Sequence, residues 1–97
     1  MKVKFLRAAR QELAEIFDHY EAQRPGLGES FRQAAWDTVE LVRHSPRAFP
    51  IVDEPIRRCR LTRFPYWILY AAEDNEIVIV AVAHVRRAPR SWRGRSG

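Results

Sequence analysis

Arg58, Arg60 and Arg63 fall close together in RRCRLTRFPYWILY (residues 57–70), a stretch whose other residues are those of β-strands. Arginines gathered this way suit phosphate or carboxylate, because the planar guanidinium offers a fork of donors that a lysine lacks. Chemistry on a phosphate ester needs a general base, positive charge on the phosphate and an acid for the leaving oxygen. The three arginines offer the charge. His84, as an imidazole, offers the base or acid, and Glu54, Tyr66 or Tyr70 a second proton carrier. Plainer readings stand beside these. A histidine closing a strand is more often a hydrogen-bonded packing residue, and Tyr66 and Tyr70 fall on the expected core side. A solvated sheet edge would also tolerate arginines. No pair among His19, His44 and His84 has metal-ligand spacing, so neither a metal site nor any other cofactor is expected.

Two hairpins must position these groups. With Phe64 and Pro65 as the turn, Pro presets φ and removes a donor, and antiparallel pairing sets Leu61 against Ile68 and Cys59 against Tyr70. Side chains alternate between strand faces. One face then carries Cys59, Leu61, Tyr66, Ile68 and Tyr70; the other carries Arg58, Arg60, Thr62, Trp67 and Leu69. The polar EDNE (residues 73–76), with Asp74 and Asn75 at its tip, precedes the apolar run IVIVAVAH and predicts a second hairpin. A two-residue loop places Ile79, Ala81 and Ala83 on the apolar face, and Val80, Val82 and His84 among the arginines. One extra residue would flip the later strand.

The 97 residues suffice for one domain with a single core. No stretch approaches a membrane span, and MKVKFLRAAR lacks the apolar run of a secretory signal, so the chain is expected in the cytoplasm. The single cysteine, Cys59, forbids an internal disulfide and reads as a small core residue. The net charge of +5 is segregated: residues 1–56 hold eight basic and nine acidic side chains, residues 57–97 nine arginines and three acids. A polyanion or an acidic protein segment is the implied partner.

Earlier in the chain, residues 2–6 read as a short strand with Val3 and Phe5 on one face. Apolar residues at helical spacing predict a helix over 8–24, with Glu12, Glu15, Asp18 and Glu21 mostly on the polar side. Pro25, Gly26 and Gly28 break it, and a second helix over 29–44 follows through Phe31, Ala34, Ala35, Thr38, Leu41 and Val42, which makes a helical hairpin. Trp36 is expected to be partly exposed. Residues 45–55, with Pro46, Pro50 and Pro55, read as a loop, and 93–97 as a frayed tail anchored by Trp92. The sum is an α+β fold, β-α-α-β-β-β, with the helical hairpin on one face of a small, mainly antiparallel sheet. The open face keeps Trp67, Leu69, Val80 and Val82. The tail folding back, together with a partner's amphipathic segment, is expected to cover it.

Four stretches in order, RPGLGESF (24–31), HSPRAFP (44–50), IRRCRLTRFPYWILY (56–70) and AVAHVRRAPRSWRGR (81–95), resemble the RelE/ParE toxin superfamily over nearly the whole chain. The resemblance implies the toxin of a type II toxin-antitoxin system, held inactive by an antitoxin whose acidic, amphipathic C-terminal segment wraps it. The tail after His84, with its Arg, Pro, Trp and Arg in sequence, is similar to the ParE-like, plasmid-stabilisation type, which implies a DNA gyrase inhibitor rather than an enzyme. The alternative is a RelE-like ribosome-dependent mRNA endonuclease using Arg58, Arg60, Arg63 and His84. A further one is a non-toxic RNA-binding module. The surface expected to meet target or antitoxin comprises Arg58, Arg60, Thr62, Trp67, Leu69, Val80, Val82, His84, Arg86, Arg87, Arg90 and Trp92.

Overall fold

The computed structural model describes residues 1–87 and 92–95. Seven elements follow in order: β1 (Lys2–Phe5), α1 (Arg7–Gln23), α2 (Leu27–His44), β2 (Ile51–Asp53), β3 (Ile56–Arg60), β4 (Tyr66–Ala72) and β5 (Glu76–His84). They make an α+β fold in which α1 and α2 cover one face of a five-stranded sheet of order β1-β5-β4-β3-β2. The β1–β5 pairing is parallel and the others are antiparallel.

The hairpin between the helices is tighter than its sequence suggests, because α2 begins at Leu27 rather than at residue 29. Gly26 takes φ 90°, a left-handed conformation open to glycine at little cost. Glu21 of α1 accepts hydrogen bonds from the backbone N–H groups of Gly26 (3.0 Å) and Gly28 (3.0 Å), so one helix caps the exposed amides of the next. A Cβ on Gly28 would stand 2.8 Å from the Phe17 carbonyl oxygen, which confines this crossing to glycine. Thr38 enters the core by donating its hydroxyl to Ala34 O at 2.8 Å.

Residues 45–55 are not all loop. Ile51–Asp53 adds an outer strand, with Pro50 and Pro55 just beyond its ends, where missing N–H groups cost the ladder little. Next, the β3–β4 connection takes four residues, not two. Leu61 N–H donates to Tyr66 O (3.0 Å) and Arg63 adopts φ 72°, so Cys59 pairs with Ile68 and Arg60 with Trp67. The register therefore slips by two residues, an even number, and both faces survive. Cys59, Leu61, Ile68 and Tyr70 are buried under the helices with Phe31, Val39, Val42, Ile77 and Ile79. Leu61 is only 2% exposed, and Leu61→Ala should cost about 2 to 3 kcal/mol, the low end for buried leucine because the adjoining loop can relax. Chemical denaturation measures it; a shift near zero would mean the side chain faces water.

The second hairpin has the expected two-residue tip, with Ala72 opposite Ile77 and Glu73 N–H donating to Glu76 O at 2.8 Å. The phase then changes within β5. Leu69 pairs with Ala81 while Tyr70 pairs with Ile79, which leaves Val80 as the extra residue of a bulge. Ile79 and Val80 keep their expected faces, but Ala81 and Ala83 turn to the open face, and Val82 and His84 turn towards the helices.

The open face is covered in part by the chain's own end. Trp92, 4% exposed, packs with Leu6, Leu69, Val80, Ala81 and Ala83. Residues 93–95, expected to fray, are tied down: Arg93 pairs with Asp53 (2.9 Å), and Arg95 donates to Glu12 and to Val80 O (3.0 Å).

Candidate partner-binding surface

At the β3–β4 end of the open face, the Arg58 guanidinium lies 4.1 Å from the centroid of the Trp67 ring. Arg60 is Trp67's cross-strand partner, and Arg58, Arg60, Thr62 and Arg63 are all exposed. Cation–π contact holds the Arg58 guanidinium over the indole, where its N–H groups can still meet an anion. Arg57 behaves differently, since it donates to Arg47 O (3.2 Å) and Phe49 O (2.8 Å) and fastens the loop before β2.

The other expected surface residues divide by what the fold does with them. Leu69, Val80 and Trp92 are buried against one another, and Val82 is buried on the helix side. His84 stands edge-on to Tyr66, ring centroids 5.2 Å apart, and its Nδ1 accepts the Arg86 backbone N–H at 3.1 Å. Arg86 is exposed, Arg87 is paired with Glu12 at 2.9 Å, and Arg90 lies outside the described residues.

The proton carriers do not converge on Arg58 and Arg60. His84 is on the other side of the sheet from Arg58 and Arg60, and Glu54 lies beyond the opposite end of β3. Tyr70 donates its hydroxyl to Pro46 O (2.6 Å), and burial pushes its phenol up to about 12. Burial, with nearby Tyr20, also raises Tyr66, and burial raises the Cys59 thiol. Tyr66 packs in an aromatic group with Tyr20, Phe31 and Phe64, and Tyr70 and Cys59 lie in the same buried core. Among the described residues, no group of His, Cys, Asp and Glu is placed to hold a metal.

Two features had no separate signal in the sequence. One is Glu12, expected on the polar side of α1. Its carboxylate accepts both Arg95 Nη atoms (2.9 Å each), Arg87 (2.9 Å) and the Val82 backbone N–H (3.1 Å). Burial acts to raise its pKa, but Arg95's hydrogen bonds, the Val82 N–H and the charges of Arg95 and Arg87 outweigh that and hold it below the usual value. The other is a groove of about 650 Å³ between the helices, lined by Leu13, Phe17, Phe31, Ala35, Trp36 and Val39, with Arg10 and Asp18 at its rim. Trp36 is 54% exposed there. Small side chains at Ala14 and Ala35 leave the space that a larger pair would fill.

A helical hairpin over one face of a five-stranded, mainly antiparallel sheet is the α+β arrangement expected from the resemblance to the RelE/ParE toxin superfamily, and on its open side Arg58 stacks on Trp67. Within that class the chain belongs to the family described as ParE toxin of type II toxin-antitoxin system, parDE, whose model matches residues 3–89. It is also similar to a solved structure described as the chromosomal ParDE TA system from P. aeruginosa. The two share 26% identity and a TM-score of 0.65 over 87% of this chain and 95% of the other. No functionally curated protein matches the chain.

Proposed function

We propose that this ParE-family chain acts in the cytoplasm as a toxin that inhibits DNA gyrase and is neutralised by a cognate antitoxin. The observation that carries the reading, beside family membership, is the separation of His84 from Arg58 and Arg60. A nuclease needs its proton carriers within hydrogen-bond reach of the phosphate that its cations hold, and here the sheet stands between His84 and both Arg58 and Arg60. An inhibitor that binds its target needs only the exposed cationic surface of Arg58, Arg60, Thr62 and Trp67.

The antitoxin segment suited to this molecule is acidic and amphipathic. Its carboxylates meet Arg58 and Arg60 on the open face, while a separate apolar stretch, carried round to the helix side, enters the groove beside Trp36, since Trp92 already covers the middle of the open face. Inducing the chain alone in growing bacteria tests the function. Filamentation with broken DNA and stalled gyrase supports the reading, mRNA cut at ribosomes replaces it with the nuclease, and normal growth with RNA bound in vitro favours the binding module. The surface is tested by the double variant Arg58→Ala, Arg60→Ala. Antitoxin or target binding should weaken roughly three- to thirtyfold, the range for two exposed charge contacts, with stability changed by about 1 kcal/mol or less. An unfolded variant, or one that binds as tightly as before, would count against this surface.

A further inference from the structure

Residues 92–95 lie on the open face and divide it. Trp92 sits against Leu69 and Ala83, Arg93 reaches Asp53 on β2, and Arg95 reaches Val80 O on β5. On one side of this strap are Arg58, Arg60 and Trp67. On the other is a cleft of about 460 Å³, floored by Ile56, Ala71 and Val78, which share one cross-strand row.

The rim of this cleft reverses the chain's overall sign. Glu54, Glu73 and Glu76 line it, opposed by Lys4; Arg93 and Arg95, also at the rim, are engaged by Asp53 and Glu12. Elsewhere Glu12, Glu29, Glu40 and Asp53 each pair with an arginine, and Glu21 accepts backbone N–H groups. Glu54, Glu73 and Glu76 close no ion pair among the described residues, although Lys2 is the register partner of Glu76 on β1, in a chain whose net charge is +5.

We propose that this cleft binds a basic segment of a partner protein, in which an Arg or Lys lays its aliphatic stem on Ile56, Ala71 and Val78 and presents its head group to Glu54, Glu73 and Glu76. The two halves of such a side chain match the two halves of the cleft, apolar below and anionic above. A purely apolar ligand would draw the carboxylates towards a surface that cannot pair with them. A small cation would leave the floor wet. An acidic segment is repelled here and is steered to the Arg58 side instead. This second site goes beyond the toxin reading and does not depend on it.

The test uses the whole chain, amide-labelled for NMR, and two capped pentapeptides, Leu-Arg-Leu-Lys-Leu and Leu-Glu-Leu-Glu-Leu. The basic peptide should shift the amides of Ala71, Glu73, Glu76 and Val78, more weakly as salt is raised from about 50 to about 500 mM. The triple variant Glu54→Gln, Glu73→Gln, Glu76→Gln should lose at least about tenfold in affinity, the product of two- to fivefold per exposed carboxylate. If the triple variant does not fold, Glu73→Gln alone, exposed at the hairpin tip, should show about a two- to fivefold loss. Equal binding by the carboxylate variants, equal binding of the acidic peptide, or shifts centred on Trp67 or Trp36 would overturn the proposal. Growth arrest plays no part in the readout, so the toxin reading and this site fail separately.

Discussion

Glu12→Ala should destabilise the chain by about 3 to 4 kcal/mol, although the residue lies on the polar side of an amphipathic helix. The Glu12 side chain is 11% exposed and the Arg95 side chain 17%, so removing the carboxylate leaves a guanidinium with little water and one fewer partner. Loss of one member of such a pair costs roughly 3 to 5 kcal/mol in buried settings. The lower part of that range applies because Arg95 keeps Val80 O and Arg87 is half open to solvent. Glu12→Gln keeps the shape and an acceptor for the Val82 N–H, and should cost about half as much.

The pH dependence follows from the direction of the Glu12 shift. Its carboxyl is held below its ordinary value in the folded chain, so the unfolded chain binds the proton first as pH falls. The stabilisation is therefore complete above the ordinary carboxyl range, about pH 4.5, and is lost as pH drops through the lower folded value. The gap in urea midpoint between the wild-type chain and Glu12→Gln should narrow from pH 7 to about pH 3. An undiminished gap at low pH would show that Glu12 acts by packing rather than by charge.

Residue 12 was not legible in the sequence for a definite reason: its main partner lies 83 positions away, in a stretch whose Ser, Gly and Arg resemble any loose terminus. The β3 and β4 faces were legible because polar and apolar residues alternate there, and a slip of two positions leaves alternation intact. IVIVAVAH offers no such marker. Apolar at nearly every position, it cannot signal where Val80 bulges, and His84 accordingly passes from the arginines to Tyr66. The strand at residues 51–53 was hidden by its flanking prolines, which exclude a central strand but permit an outer one. Trp92 was legible, because an indole in an otherwise polar tail has little reason to stay in water. That Trp92 would occupy part of the surface expected to meet a partner was not, since a binding patch and a docking site for the chain's own tail have the same apolar composition.

Trp92→Ala should cost about 3 to 5 kcal/mol, the range for a large buried aromatic. It also separates two accounts of the open face. If residues 92–95 are part of the core, the loss appears as a cooperative shift of the whole unfolding transition. If they form a strap over an otherwise complete sheet, Leu69, Val80 and Ala83 become accessible while the helix-side core persists. Trp92→Ala then binds a hydrophobic dye and is clipped near its C-terminus well below its melting temperature. The strap reading is favoured by how the tail is held, by an indole on one cluster and two arginine ion pairs rather than by strand pairing. Indole and carboxylate then stabilise the same docked segment. In a double-mutant cycle, Glu12→Ala with Trp92→Ala should cost less than the sum of the two by more than about 0.5 kcal/mol. Once either anchor has released the segment, the other has less left to hold. What remains of the Glu12 effect in the double variant is the unpaired Val82 N–H, which stays with the sheet whether or not the tail is docked. Strict additivity would mean that the two anchors hold independent parts of the fold.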